Sequence, residues 1–145
     1  MSDPELLLSN QLCFMIHRID RALGARYRPL LAELGLTYPQ YLAMLSLWEH
    51  ERLTIGRLCE LLALDTGTVS PLVKRLEGAG LVTRSRSDED ERTVFAELTP
   101  KGKALRKKAK SVPGAIASCA VSSKGEYDRL RETLEGLLER LVRDA

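Results

Sequence analysis

The sequence predicts a mainly α protein with one small β-hairpin: a winged helix-turn-helix flanked by N- and C-terminal dimerisation helices. Three observations predict it. Apolar residues recur at three- and four-residue spacing through most of the chain. The period shortens only over residues 81–98, where two β-prone runs flank a charged tip. Just before that change stand two short helical segments joined by a tight turn, the second with a polar outer face.

The length of 145 residues suits one domain, and a hydrophobic content of 44% suffices for a core. A formal charge of +2 is too mild to argue for nucleic acid by itself, so any such argument rests on local patches. No run of 18 apolar residues occurs, and MSDPELLL lacks the basic flank of a secretory signal. The expectation is a soluble, cytoplasmic chain with no membrane partner. Three widely spaced cysteines, Cys13, Cys59 and Cys119, argue against a disulfide framework and against a CxxC metal site. No metal and no cofactor are expected.

From the N-terminus, Asp3 and Pro4 can open a helix that Gly35 closes. Ser9 or Asn10 can equally cap a later start, which puts Cys13 in a first turn. The stripe of this helix is Leu8, Leu12, Ile16, Ile19 and Leu23, with Cys13 at its edge. Thr37 and Gln40 form a capping box around Pro39 and open a second helix to about Glu49. Its Leu42, Met44, Leu45, Leu47 and Trp48 are apolar nearly all round, so it is central. Thr54 starts a third helix with Ile55, Leu58, Cys59 and Leu62 on one side, and Cys59 is read as core. Asp65, Thr66 and Thr68 supply caps for a fourth helix, striped by Val69, Leu72, Val73 and Leu76 and ended by Gly80. LVTRSR and TVFAEL, at 81–86 and 93–98, form the hairpin. Thr99 and Pro100 restart a helix whose stripe of Leu105, Ala109, Val112, Ile116 and Cys119 is broken near Pro113 and Gly114. Ser123 and Glu126 box the last helix, with Leu130, Leu134, Leu137, Leu138 and Leu141 on one face.

The chain is thus read as a single domain over 1–145. Dimerisation helices occupy about 3–34 and 101–145, and the winged helix-turn-helix about 37–100. The outer helices carry more apolar face than a unit of that size can cover, which points to a homodimer.

The fourth helix has the place of a recognition helix, whose first turns reach base edges in a major groove. Its outward residues are Thr66, Thr68, Ser70, Lys74 and Arg75: hydroxyls for bases and phosphates, cations for phosphate charge. The hairpin adds Arg84, Arg86 and Arg92 for flanking backbone or a minor groove. Asp88, Glu89, Asp90 and Glu91 repel phosphate and therefore point away or brace an arginine; Asp90 with Arg92 is the favoured pair. The partner is double-stranded DNA, with a pseudo-palindromic operator matching the two-fold dimer. A solvated hairpin on a plain three-helix core is the bland alternative.

NQLCF (10–14), RYRPLLAELGLTYPQYLAML (26–45), DTGTVSPLVKRLEGAGLVTRSRS (65–87) and DEDER before TVFAELTPKG together resemble the MarR family of winged-helix regulators, more closely its organic-hydroperoxide-sensing OhrR branch. The resemblance covers the chain from about Leu6 to the last helix. It implies that Cys13 is the peroxide-sensing thiol and that Tyr27 and Tyr38 hydrogen-bond it from the partner subunit. It also implies that Arg92 is the wing-tip arginine of the minor groove, and that Cys119 stands where two-cysteine members carry a resolving cysteine. His17, Asp20 and Arg21 match no motif of the family.

The chemistry so implied is coherent. The thiolate is the nucleophile, and phenolic donors or a helix N-terminus stabilise it. Cys13 and Tyr27 lie 14 residues apart on one predicted helix, roughly 21 Å at about 1.5 Å per residue, so a contact between them needs two chains. The resemblance therefore implies a homodimeric repressor that an organic hydroperoxide oxidises at Cys13, through an inter-subunit disulfide to Cys119, releasing its operator. Cys119 also fits as a plain core cysteine, Tyr27 and Tyr38 as half-buried aromatics, and His17 as a solvated side chain. A repressor controlled by a small aromatic or lipophilic ligand is the rival within the fold. A thiol peroxidase is the rival from another class, although the expectation is that the protein is not an enzyme.

Overall fold

The computed structural model describes residues 3–143. They divide into two compact units, one running through Lys110 and one beginning at Ser111. In chain order the first unit holds α1 (Leu12–Ala32), α2 (Tyr38–His50), β1 (Arg52–Thr54), α3 (Ile55–Leu62), α4 (Thr66–Gly78), β2 (Val82–Arg86), β3 (Val94–Leu98) and α5 (Pro100–Ala109). The second holds α6 (Val112–Ala120) and α7 (Lys124–Arg143).

The N-terminus departs from the expected helix. Pro4–Leu6 and Leu8–Asn10 are two 3-10 turns, so Leu8 lies outside the α1 stripe. Side-chain amides hold them: Asn10 Nδ2 donates to the Pro4 carbonyl at 2.8 Å, and Gln11 Nε2 to the carbonyls of Glu5 and Leu7, each at 2.8 Å. Amides that satisfy these carbonyls compete with a helical ladder. The later start is the one observed, with Gln11 and not Ser9 or Asn10 at the cap position, and Cys13 stands in the first turn of α1.

Glycine closes α1 and α4 in the same way. Gly35 takes φ +69° while the Gly35 and Leu36 N–H groups donate to Ala32 and Leu31. Gly80 takes φ +77° while Gly80 and Leu81 donate to Glu77 and Leu76. Both are Schellman ends, in which the left-handed residue satisfies carbonyls the helix leaves open. The Thr37–Gln40 capping box forms as read, with Thr37 N–H donating to Gln40 Oε1 at 2.9 Å. In α2, Tyr41, Ala43, Met44, Leu47 and Trp48 are buried, so the helix is central. Leu45 faces solvent instead.

A third strand escaped the sequence reading. Arg52–Thr54 pairs antiparallel with β3, opposite residues 95–97, giving the order β1-β3-β2. Three residues with one buried member, Leu53, are too short to show a period in sequence. The hairpin register sets Val82 against Leu98 and Arg86 against Val94.

α5 fits against this sheet without clearance. A Cβ added at Gly102 would stand 2.1 Å from the Leu81 carbonyl oxygen and 3.1 Å from Leu98 Cδ2. The Gly102 carbonyl accepts the Trp48 indole N–H at 2.9 Å.

The expected break near Pro113 is real: α5 ends at Ala109 and α6 begins at Val112, with Pro113 in its first turn. The box of α7 is shifted by one partner. Glu126 N–H donates to Ser123 Oγ at 3.1 Å, while Glu126 Oε2 accepts from Ser122 N–H at 2.9 Å. The Ser122 hydroxyl, which also donates to Glu126 Oε2, and then the Ser122 N–H hold the Glu126 carboxyl below its usual range. No described residue of α7 is buried: Leu130, Leu134, Leu138 and Leu141 are all exposed, Leu138 at 61%. On α1, Leu12 (65%), Met15, Ile16 and Ile19 are exposed as well.

Gly102→Ala tests the fit of α5. The methyl group has to displace backbone, and overpacking of this kind costs about 1–3 kcal/mol. Denaturant unfolding at fixed protein concentration is expected to show that loss, while Gly56→Ala, with open space around its Cα, costs less than about 1 kcal/mol.

Candidate functional site

The helix-turn-helix is α3 and α4. Thr54 caps α3, accepting the Arg57 N–H at 3.0 Å. Ala63 closes it in the left-handed region, at φ 54°, where a side chain adds strain. Asp65 caps α4: its Oδ1 accepts the Thr68 N–H at 2.8 Å, and the Thr68 hydroxyl and then that N–H hold the carboxyl below its usual range. Val69, Leu72, Val73 and Leu76 are buried, which turns Thr66, Thr68, Lys74 and Arg75 outward, with Ser70 half-buried.

Cys59 is not the core residue expected. It is half-buried, its Sγ 3.8 Å from Thr66 Oγ1 at the first turn of α4. In an eight-residue helix Leu58 alone is fully buried, and the Cys59 position, 100° around, reaches only the turn.

The hairpin ties back to the recognition helix through Arg84. Its guanidinium donates to Glu77 Oε1 at 3.0 Å and 3.2 Å, and its backbone N–H to Glu77 Oε2 at 3.1 Å. Glu77 is thereby held below its ordinary carboxyl value of 4.5. Arg86 donates to the Glu91 carbonyl at 3.0 Å. At the tip, Ser87 Oγ accepts the N–H groups of Glu89 and Asp90, and Asp90 Oδ1 accepts the Arg92 N–H at 3.0 Å. The contact between Asp90 and Arg92 thus runs through backbone and not through an ion pair, because an aspartate two residues back closes an Asx turn before it can reach a guanidinium. Asp90 shapes the tip and Arg92 remains exposed.

A second feature lies between α1 and α2. Where Gly35 reverses the chain, Tyr27 of α1 meets Tyr38, the first residue of α2, with ring centroids 4.9 Å apart. Tyr41 continues the series 5.9 Å from Tyr27, and Trp48 lies 6.5 Å beyond it. Asp20, Arg21, Leu23, Gly24, Tyr27, Arg28 and Tyr38 line a cleft of about 310 Å³. Burial, and then the Asp20 carboxylate, push the Tyr38 phenol above 10.0; burial, and then Tyr38, do the same for Tyr41. Both phenols therefore stay protonated at neutral pH and can donate.

The chain is similar to known regulators in sequence and in structure. The family described as transcriptional regulator SarA/Rot matches residues 25–109. The organic hydroperoxide resistance transcriptional regulator of Bacillus subtilis (strain 168) is 48% identical over 134 residues, 92% of this chain and 91% of that protein. The chain belongs to the MarR/SarA-type winged-helix transcriptional regulators. Among solved structures, reduced AbfR bound to DNA is similar with a TM-score of 0.82 and 35% identity, covering 97% of this chain and 96% of the other. Disulfide-formed AbfR is similar with a TM-score of 0.67 and 36% identity, covering 94% and 92%. The Bacillus subtilis relative is named as a transcriptional regulator, and DNA is present in the first of the two AbfR structures. No described helix of this regulator is long and apolar enough to cross a membrane.

The structure brings Tyr27 and Tyr38 together but does not join Cys13 to them. Cys13 and Tyr27 sit on one uninterrupted helix, about 21 Å apart at about 1.5 Å per residue. Both Cys13 and Cys119 are exposed thiols, Cys119 on α6. Asp20, which lines the cleft, and Glu77, which holds Arg84, have no role in the sequence reading. Asp20 has a legible signal, lying seven residues before Tyr27 on the same helix face; Glu77 has none, because Arg84 reaches it from another element.

The Glu77–Arg84 tie predicts a pH dependence. A carboxyl depressed in the folded state adds stability above its unfolded value, and that stability is lost as pH falls through the folded one. Glu77 is therefore expected to titrate below 4.5 by NMR, with protection of the Arg84 amide from exchange lost only below that pH. In Glu77→Gln the acid step in protection is expected to disappear.

Proposed function

We propose that this protein is a homodimeric DNA-binding repressor that an organic hydroperoxide inactivates by oxidising Cys13. The observation that carries the reading is the tyrosine cleft and its separation from Cys13 along α1. The Tyr38 phenol, with Tyr27 beside it in the cleft, can donate to an anion, and the sensing thiol can occupy that place only from a second chain. The exposed apolar residues of α1 and α7 give that second chain a surface to bury.

In the proposed reaction the Cys13 thiolate of the partner subunit attacks the distal peroxide oxygen. The O–O bond breaks, and the alkoxide takes a proton and leaves as the alcohol. Sulfur is oxidised by two electrons to the sulfenic acid. The Cys119 thiol of the opposite subunit then displaces hydroxide from that sulfur, giving a disulfide and water. A disulfide needs Cα atoms within about 7 Å, so the helices carrying the two cysteines come together when it forms. Their movement changes the separation of two recognition helices that must match about 34 Å, one turn of DNA, and the operator is released. The existence of a relative in reduced, DNA-bound form and in disulfide form supports such a cycle.

On the DNA side, α4 enters the major groove with Thr66, Thr68 and Ser70 toward bases and Lys74 and Arg75 toward phosphates. Arg92 reaches the flanking minor groove from a tip that Asp90 shapes, with Arg86 beside it, and Arg84 holds the wing to α4 through Glu77.

Titrating labelled operator with wild type, Cys13→Ser and Cys119→Ser tests the sensor, before and after cumene hydroperoxide and again after dithiothreitol. Wild type is expected to release DNA on oxidation and rebind on reduction, and Cys13→Ser to hold DNA throughout. Wild-type binding unchanged by peroxide overturns the proposal; release and recovery of Cys119→Ser identical to wild type removes the resolving role alone. Catalytic consumption of peroxide in the presence of thiol would place the protein among peroxidases instead. Arg92→Ala is expected to weaken operator binding by about ten-fold or more and to lower the salt slope by about two, roughly one for each subunit of the dimer.

A further inference from the structure

α2 turns into the wing sheet at Glu51, and the turn is strained. Glu51 takes φ 62° and ψ −40°, a backbone that a side chain makes costly and that glycine adopts far more readily. Contacts on three sides hold it there. Its N–H donates to the Leu47 carbonyl of α2 at 2.6 Å, and its carbonyl accepts the N–H of Leu98, the last residue of β3, at 3.1 Å. Its carboxylate lies 3.7 Å from Lys103 Nζ on α5, with both side chains exposed. The next residue, Arg52, opens β1, its guanidinium carbon 3.7 Å from the centre of the Phe95 ring and its Nε 4.0 Å from Glu97. A strained backbone persists only where its surroundings over-determine it, and here α2, β3 and α5 do so at one residue.

The angle at this joint matters because the hairpin is a lever. β3 is the central strand, with β2 on one edge, tied to α4 through Arg84 and Glu77, and β1 on the other. Leu98, where Glu51 bonds, and Arg92 at the tip are six residues apart, roughly 20 Å at about 3.3 Å per residue. Over that length a tilt of about 10° at the root moves the tip by roughly 3.5 Å, more than a hydrogen bond tolerates. Glycine at position 51 would leave the joint free to swing, whereas a residue with a Cβ confines it to one narrow basin.

We propose that Glu51 is a positioning residue for DNA binding, whose strained backbone is a stiff joint that fixes the wing sheet on α2 and α5 so that Arg92 meets the minor groove. The inference rests on the reading of the wing proposed above, and it gives Glu51 no contact with DNA. Strain at the joint lowers the stability of the fold while stiffness raises the affinity of the wing. Relaxing the joint therefore moves the two in opposite directions.

The test is a titration of a labelled duplex that the wild-type protein selects from random sequence, repeated over a range of salt, with melting followed on the same proteins. Glu51→Gly is expected to melt at or above the wild-type temperature and to bind about three- to ten-fold more weakly, with a salt slope lowered toward that of Arg92→Ala. Adding Arg92→Ala to Glu51→Gly is expected to weaken binding by a smaller factor than Arg92→Ala alone does. Glu51→Gln keeps the backbone constraint and loses only the charge toward Lys103, so it is expected to stay within about two-fold of wild type. A joint that served stability alone would give Glu51→Gly a lower melting temperature and leave the effect of Arg92→Ala undiminished, and that result overturns the proposal. So does a loss in Glu51→Gln equal to that in Glu51→Gly. If Arg92→Ala in the wild-type background changes neither affinity nor slope, the reading of the wing itself falls. If Arg92→Ala weakens binding and Glu51→Gly binds as wild type, this inference alone is overturned.

Discussion

The hydrogen bond from the Trp48 indole to the Gly102 carbonyl joins the central helix to the helix that follows the wing, at the point where α5 lies closest to the sheet. Much depends on it. Gly102 has no room for a side chain because the Leu81 carbonyl stands where a Cβ would be. Leu81 in turn ends the Schellman turn of α4 and leads into β2, and its carbonyl accepts the Thr99 N–H at 3.1 Å. The recognition helix, the wing and α5 therefore meet at one backbone crossing, with α2 bonded to it. A buried indole N–H without that acceptor would cost about 1–3 kcal/mol, so the contact also fixes which way Trp48 points.

From the same tryptophan an aromatic series runs back to the cleft: Trp48, Tyr41, Tyr27 and Tyr38, at successive centroid distances of 6.5, 5.9 and 4.9 Å. Tyr38 at the cleft and Trp48 at the backbone crossing thus share one packed helix, α2. Close-packed interiors transmit displacement instead of absorbing it. That gives a physical link between the cleft and the helix-turn-helix.

Charge is distributed by job. The wing's basic residues are not equivalent: Arg84 is held by Glu77, Arg86 by a carbonyl, and Arg92 is presented from a turn that Asp90 closes. An exposed ion pair contributes little stability by itself, but here backbone and side chain of Arg84 are held together, so the pair sets the angle of the hairpin on α4. The acidic tip, which by composition opposes DNA, is spent on turn geometry at Asp90 and faces solvent at Asp88 and Glu89.

Local signals were legible in the sequence because their causes are local. The capping box of Thr37 and Gln40, the caps Thr54, Asp65 and Thr99, the glycine ends at 35 and 80 and the break at Pro113 each involve residues within about five positions, and all appear in the structure. So did the helix-turn-helix with its wing, since the change of period marks it. What sequence could not carry were pairings between distant segments: β1 against β3, Glu77 against Arg84, Cys59 turned toward Thr66, and Asp20 brought to Tyr38. The 3-10 turns before α1 were missed for a related reason, as amides reaching back four and six residues outcompete a helix whose apolar pattern is intact. The sequence by itself determined most of the caps and glycine ends after α1 begins, and that Cys13 and Tyr27 cannot meet within one chain, for these follow from fixed rise and local bonds. Only the tertiary structure decided that Tyr27 and Tyr38 form one cleft with a carboxylate in it, because that depends on how α1 and α2 pack across the turn at Gly35.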